Sequence, residues 1–340
     1  MVHVQPAAIS KLESGRLKPS DGLLRALCEG LDVTPDYFAQ PVADEYELHE
    51  CSFRHLQSTP KKLLEEALAR GTLYHDAITI LATLAELPVT NVPVIHVSTV
   101  EEMEDAANAS RRAWGIDPDE PIRNMVRLAE HAGVVVMRLR GTTEKVDAFS
   151  RFGEPPTIIL TSVKGSTSKD RFNVAHELGH LVIHRGKITG DLQSEREANR
   201  FAAALLLPLT AFSADFRSLR AVDWPHLFEL KQRWKVAGSA ILHRAEELGL
   251  LSAIDARRLY KQHSFRRWNK GEPHEPSAET PELFELALQV ATEDWNKDMR
   301  NVAADLGWGS RMTEIVTGHI IREAKAQPAN VRSIADYLRQ

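Results

Sequence analysis

The run His176-Glu177-Leu178-Gly179-His180 sets two imidazoles four residues apart, with a carboxylate next to the first. On a helix, residues at that spacing share a face, so both rings can reach one tetrahedral ion about 2.0–2.1 Å from each nitrogen. Zinc (Zn2+) suits these donors. Glu177, one residue on, is offset from the ion and is the expected general base, taking a proton from a water activated there. Such an arrangement performs metal-assisted hydrolysis of a peptide bond. The flanking residues fit a helix: Val174, Leu178, Leu181 and Val182 form an apolar stripe, and Thr167 followed by Asp170 has the pattern of a capping box.

Two histidines leave a tetrahedral ion short of donors. Fifteen residues beyond His180, a second helix-like run from Glu195 to Pro208 can supply a third. It offers both Glu195 and Glu197, but a helix turns about 200° over two residues, so only one can face the ion. Asn199 lies four positions after Glu195, on the same face, where its amide could hydrogen-bond a ligand imidazole from behind; Glu197 has Phe201 at that offset. Glu195 is therefore expected as the third ligand and Asn199 as its supporting residue. His184 continues the column of His176 and His180, but in the last turn it is expected to answer the helix dipole rather than the metal. The long metzincin pattern is excluded, because Gly186 stands where its third histidine would fall.

Through Arg171-Phe-Asn-Val-Ala-His-Glu-Leu-Gly-His180 and Glu195 to Pro208, the sequence resembles the ImmA/IrrE family of zinc metallopeptidases. Val146-Asp-Ala-Phe-Ser150 and Thr157-Ile-Ile-Leu-Thr161 are similar to the family's strands, and Leu230 to Leu250 to its following helices. The resemblance implies an α+β, zincin-like metallopeptidase core: a small sheet, the helix bearing the two histidines, and a Glu-bearing helix, flanked here by helical N- and C-terminal modules. It also selects Glu195 and makes His243 a candidate oxyanion donor, at a position where the family carries Tyr or His. The implied activity is cleavage of a repressor-type protein substrate in a stress or mobile-element response. An extended substrate is expected to lie beside the Ile158–Thr161 strand, pairing with a sheet edge. The other reading is a DNA-binding regulator or antitoxin-like protein with a structural or sensing zinc site. Glu177 favours hydrolysis, since a structural site needs ligands but no base.

Residues Gln5 to Ser20 resemble the recognition-helix region of XRE-type helix-turn-helix repressors, with a further helix over Ser20–Leu31. By that resemblance Ser10 and Lys11 face base edges, while Gln5, Arg16 and Lys18 contact phosphate. Only Met1-Val-His-Val4 precedes this region, where the family has two more helices, so the helix-turn-helix reads as incomplete and DNA binding as doubtful.

At 340 residues and 43% hydrophobic composition, the chain is expected to hold more than one core. The expected order is a partial helix-turn-helix over 1–40, a helical linker region over 41–94, the zinc metallopeptidase domain over 95–265 and a helical C-terminal module over 266–340. Thr59 with Pro60 starts a helix in the linker region. Helices are expected near Val100–Trp114 and Ile122–Ala132, then a buried strand over Val134–Leu139. The Pro-, Glu- and Ser-rich stretch from Pro273 to Glu282 reads as an interdomain connection, and Val302 to Trp308 as part of a helical bundle. A formal charge of −5 gives no global attraction to phosphate. Cys28 and Cys51 read as reduced thiols, Cys28 in a core. With no long apolar run and no signal-like start, no membrane partner is expected and the location is cytoplasmic.

Overall fold

A computed structural model describes residues 5–40, 60–139, 147–161, 166–187, 189–217, 223–317 and 334. Cys51, the 41–59 stretch of the linker region with its Thr59 cap, and most of the chain past 317 lie outside the described residues. In chain order the elements are α1 (Pro6–Glu13), α2 (Asp21–Leu31), α3 (Lys61–Leu84), α4 (Val100–Ala113), α5 (Met125–His131), β1 (Val135–Arg138), β2 (Ala148–Arg151) and β3 (Thr157–Leu160). Then follow α6 (Thr167–Ile183), α7 (Leu192–Leu206), α8 (Leu209–Arg217), α9 (Trp224–Trp234), α10 (Gly238–Glu247) and α11 (Ala253–Phe265). The last three are α12 (Leu283–Trp295), α13 (Met299–Asp305) and α14 (Ser310–Thr317). The architecture is mixed α+β, mostly helical with a small sheet.

Local signals account for most helix starts. Ser20 caps α2 by accepting from Leu23 N, and Thr99 with Glu102 forms a complete capping box on α4. On α6 the cap is Ser166, which accepts from Lys169 N, and not the expected Thr167. Asp170 does not close a box because its carboxylate is committed to Arg138 on β1, at 2.9 Å.

The sheet runs β1-β3-β2, with β3 parallel to β1 and antiparallel to β2. The Val134–Leu139 strand is present as β1. Strand β3 is the middle strand, however, its backbone paired on both sides, so Ile158–Thr161 is not an edge and cannot take up an extended peptide as expected. Sheet order depends on how the strands are connected in space, which residue alternation does not encode.

Contacts divide the chain into two compact units. One takes its described residues from Met1–Glu45, Ala69–Glu86 and Glu285–Arg332; the other from Tyr46–Leu68, Leu87–Phe284 and Ser333–Gln340. In the larger unit α6 packs on α7, α5, β2 and β3, and α7 packs on α4. From Asn173 to Ile183 every residue of α6 is buried, as expected of a helix enclosed on all sides. The Pro273 to Glu282 stretch is bonded to this same unit through its length. Glu275 accepts from Ser168 N and Oγ at the start of α6, both at 3.0 Å, Glu279 pairs with Arg171 of α6, and Glu282 pairs with Arg127 of α5.

In the smaller unit the N-terminal segment does not stand alone. Val33 bridges Trp308, with Thr34 N donating to Gly307 O at 2.7 Å and Gly309 N to Asp32 O at 2.8 Å. The Asp32 carboxylate then caps α14, accepting from Arg311 N at 2.6 Å and Met312 N at 3.1 Å. Val33, Trp308 and Cys28 are all buried. Gly309 admits this close approach, since a Cβ there would lie 2.5 Å from the Asp32 carboxylate. Residues around α13 and α14 thus share a core with the N-terminal segment, which in turn caps α14.

Candidate metal centre

Helix α6 carries His176 and His180 on one face, and α7 crosses that face. The crossing is close at Gly179, where a Cβ would meet the Phe201 ring at 3.0 Å and Ala198 Cα at 3.4 Å. Glycine inside the histidine motif therefore lets α7 bring Glu195 over the two rings. His176 Nε2 and His180 Nε2 are 3.1 Å apart, and each lies 3.4 Å from a carboxylate oxygen of Glu195. Donors about 2.0–2.1 Å from a tetrahedral ion stand roughly 3.3–3.4 Å from one another, which matches this triangle. Both oxygens of Glu195 are buried and have no hydrogen-bond partner among the described residues. Unsatisfied buried carboxylate oxygens are costly, and an ion shared with the two imidazoles would relieve that cost. The residues present fit a divalent metal.

The protonation preferences agree with that fit. Burial pushes His180 down to about 3, so the ring is neutral at physiological pH, as a ligand must be. Burial alone would raise the Glu195 carboxyl, but the neighbouring His176 and His180 outweigh it and hold it well below the usual carboxylate range. Asn199 donates from Nδ2 to Glu195 O at 2.8 Å, which leaves its Oδ1 facing His176 Nδ1 at 3.2 Å.

One neighbour of the metal group, Ser150, escaped sequence reasoning, and two others, His184 and Glu197, have partners that it did not assign them. Ser150 of β2 donates to Glu177 Oε2 at 2.6 Å, and both side chains are buried. Nothing local marks this pair, 27 residues apart; it exists only because β2 packs on α6. His184, set aside as a helix-end residue, is buried, with its Nδ1 2.9 Å from His180 Nδ1. Its Nε2 is 2.8 Å from Glu197, so the carboxylate that does not face the metal group reaches the histidine behind it. The continuing four-residue spacing of the histidines was the available signal.

His243 is exposed on α10. Its neighbours Ile241, Leu242, Arg244 and Ala245 are buried on α10, Arg244 through bonds to Leu207 O and Glu104, so His243 occupies the outward face. None of the contacts joining the metal group involves it. In the smaller unit Gln5, Ser10, Lys11, Arg16 and Lys18 are all exposed. Among the described residues no helix is long and apolar enough to cross a membrane.

Residues 129–246 match the family model of the IrrE N-terminal-like domain, a peptidase family, and residues 1–38 match that of a helix-turn-helix. The first match takes in β1 to β3, α6, α7 and α10; the second takes in α1 and α2. No curated protein matches the chain. One stretch of the chain is thus similar to the IrrE N-terminal-like peptidase domain and another to a helix-turn-helix, the pairing found in ImmA/IrrE proteins with an XRE-type helix-turn-helix.

Proposed function

We propose that this chain is a zinc-dependent endopeptidase of the cytoplasm that cleaves a partner protein, a transcription repressor, in a stress or mobile-element response. The observation that carries the reading is the triangle of His176, His180 and the unpartnered Glu195 carboxylate beside a buried Glu177. When bound there, zinc supplies a Lewis acid for the scissile carbonyl and lowers the pKa of water. Glu177 takes the proton from the attacking water and returns it to the leaving amine. Ser150 holds one oxygen of that carboxylate at 2.6 Å, which fixes the plane of the base. His176 and His180 are each held from behind at Nδ1, so their Nε2 atoms converge.

An extended substrate would present its scissile bond beside Glu177 and Ser150 of β2, and that bond would lie in a flexible linker of the partner. A purely structural zinc site in a DNA-binding regulator would not require a buried carboxylate held beside the donors.

The test is Glu177→Gln, assayed with the repressor encoded beside this gene. The variant is expected to keep one zinc per chain and to lose cleavage by about 10²–10⁴-fold, the range for a positioned acid–base group. Cleavage at the wild-type rate would overturn hydrolysis through Glu177. Normal zinc content with no cleavage by either protein would support the regulator reading.

A further inference from the structure

His180 and His176 are held from behind by different devices. Behind His176 is the neutral amide of Asn199. Behind His180 is a chain of two residues ending in a carboxylate: His180 Nδ1, His184 Nδ1 at 2.9 Å, then His184 Nε2 and Glu197 Oε2 at 2.8 Å. Gln193 Nε2 donates to the other Glu197 oxygen at 2.9 Å, so the carboxylate is itself fixed.

The direction of each bond follows from the end of the chain. An ionised carboxylate only accepts, so His184 Nε2 carries the hydrogen. A neutral imidazole has one N–H, so His184 Nδ1 is bare and accepts. His180 must then donate from Nδ1, which leaves its Nε2 lone pair directed at His176 Nε2 and Glu195. That is the tautomer a metal ligand needs, and the carboxylate behind it makes the ligand nitrogen more basic.

We propose that Glu197, acting through His184, fixes the tautomer and ring orientation of His180 and thereby sets the affinity of this site for its divalent ion. Both are positioning residues, and neither touches substrate. The proposal rests on the metal reading above but not on proteolysis. A role for His184 confined to the helix dipole would leave its ring free of specific partners, whereas it is 1% exposed and bonded at both nitrogens.

The experiment uses the full-length chain stripped of metal, in wild-type form and as Glu197→Leu, His184→Leu and the double variant. Two readouts are taken: the His180 tautomer by ¹⁵N NMR of the apoprotein, and zinc affinity by competition with a chelator. In wild type His180 is expected to be Nδ1–H. In Glu197→Leu the Nε2–H form is expected to appear, and zinc binding to weaken about 10–100-fold, the range for such supporting partners. Apoprotein melting should change little, because Glu197 is partly exposed.

Because the two residues act in series, the double variant should bind zinc no worse than His184→Leu alone. An unchanged tautomer in Glu197→Leu with zinc affinity within twofold of wild type would overturn the proposal, as would losses that add in the double variant. Should His184→Leu fail to fold, the tautomer and affinity of Glu197→Leu decide. Should wild type bind no zinc, the metal reading fails, while the tautomer still reports on the relay.

Discussion

At the metal group each side chain has one task, and the tasks can be separated by substitution. Glu195 is the proposed donor, and its two oxygens have no hydrogen-bond partner among the described residues. Glu195→Ala is therefore expected to leave the purified protein without stoichiometric zinc after dialysis, whereas Glu197→Leu retains zinc with weakened affinity. Metal analysis of the two proteins side by side checks the order, and equal retention would mean that Glu195 is not a ligand. Ser150 touches the base and not the donors, so Ser150→Ala should keep full zinc content while kcat falls about 10–100-fold, as when other supporting hydrogen bonds at metal sites are removed. Zinc loss from this variant would place Ser150 in the metal's support instead. Helical spacing alone aligns His176, Glu177 and His180 on α6, whereas Glu195 stands on α7 and is singled out by the Asn199 offset and the resemblance. Ser150 could not be read from sequence, since its partner is reached across a strand–helix contact, and His184 was underestimated because its partner Glu197 lies on another helix.

The same division holds for the elements. Helix periodicity, caps and the β-branched run made α4, α6 and β1 readable, while strand order and the placement of the Pro273 to Glu282 stretch depend on contacts far apart in sequence. That stretch anchors α6 from outside. Arg171 is buried on α6, paired with Glu279 and donating from Nη2 to Ile122 O at 2.7 Å. Glu279→Ala would strand this guanidinium, and denaturant unfolding should show destabilisation of about 3–5 kcal/mol; a change below about 1 kcal/mol would mean that water reaches the arginine. Nearby, Glu130 of α5 accepts from Glu282 N at 3.0 Å and Leu283 N at 2.9 Å, and burial raises its carboxyl from 4.5 to about 8. Folding thus favours the neutral acid. Its contribution to stability is greatest below about 4.5 and is lost as pH rises to about 8. Since Glu130→Gln cannot ionise, its stability relative to wild type should grow across that window by an amount on the order of a few kcal/mol. A difference that stays flat with pH would show that Glu130 titrates normally.

For the molecule as a whole, the N-terminal segment and residues 307–312 meet in one unit, and this changes what the N-terminal segment can be asked to do. Bridging of Val33 to Trp308 and capping of α14 by Asp32 give α2 a partner structure that the first forty residues do not contain. Gly309→Ala should therefore destabilise this unit while leaving zinc content unchanged, as its Cβ would collide with the Asp32 carboxylate. DNA binding is a separate matter, because folding of the segment does not create positive charge. The chain carries a net −5, and of the residues expected to meet DNA only Lys11, Arg16 and Lys18 are cationic. With about two phosphates neutralised, by Arg16 and Lys18, log K should fall with log salt at a slope near −1.8, so binding should drop about 12-fold between 50 and 200 mM salt. Weak, salt-sensitive association with little sequence preference is the expected result, measured by fluorescence anisotropy on a labelled duplex. Arg16→Ala should reduce the slope by about one, since it removes a single counterion-releasing contact. A nanomolar, salt-tolerant and sequence-selective complex would show that base contacts, not these few cations, dominate the interaction, and would restore duplex DNA as a principal partner of this chain.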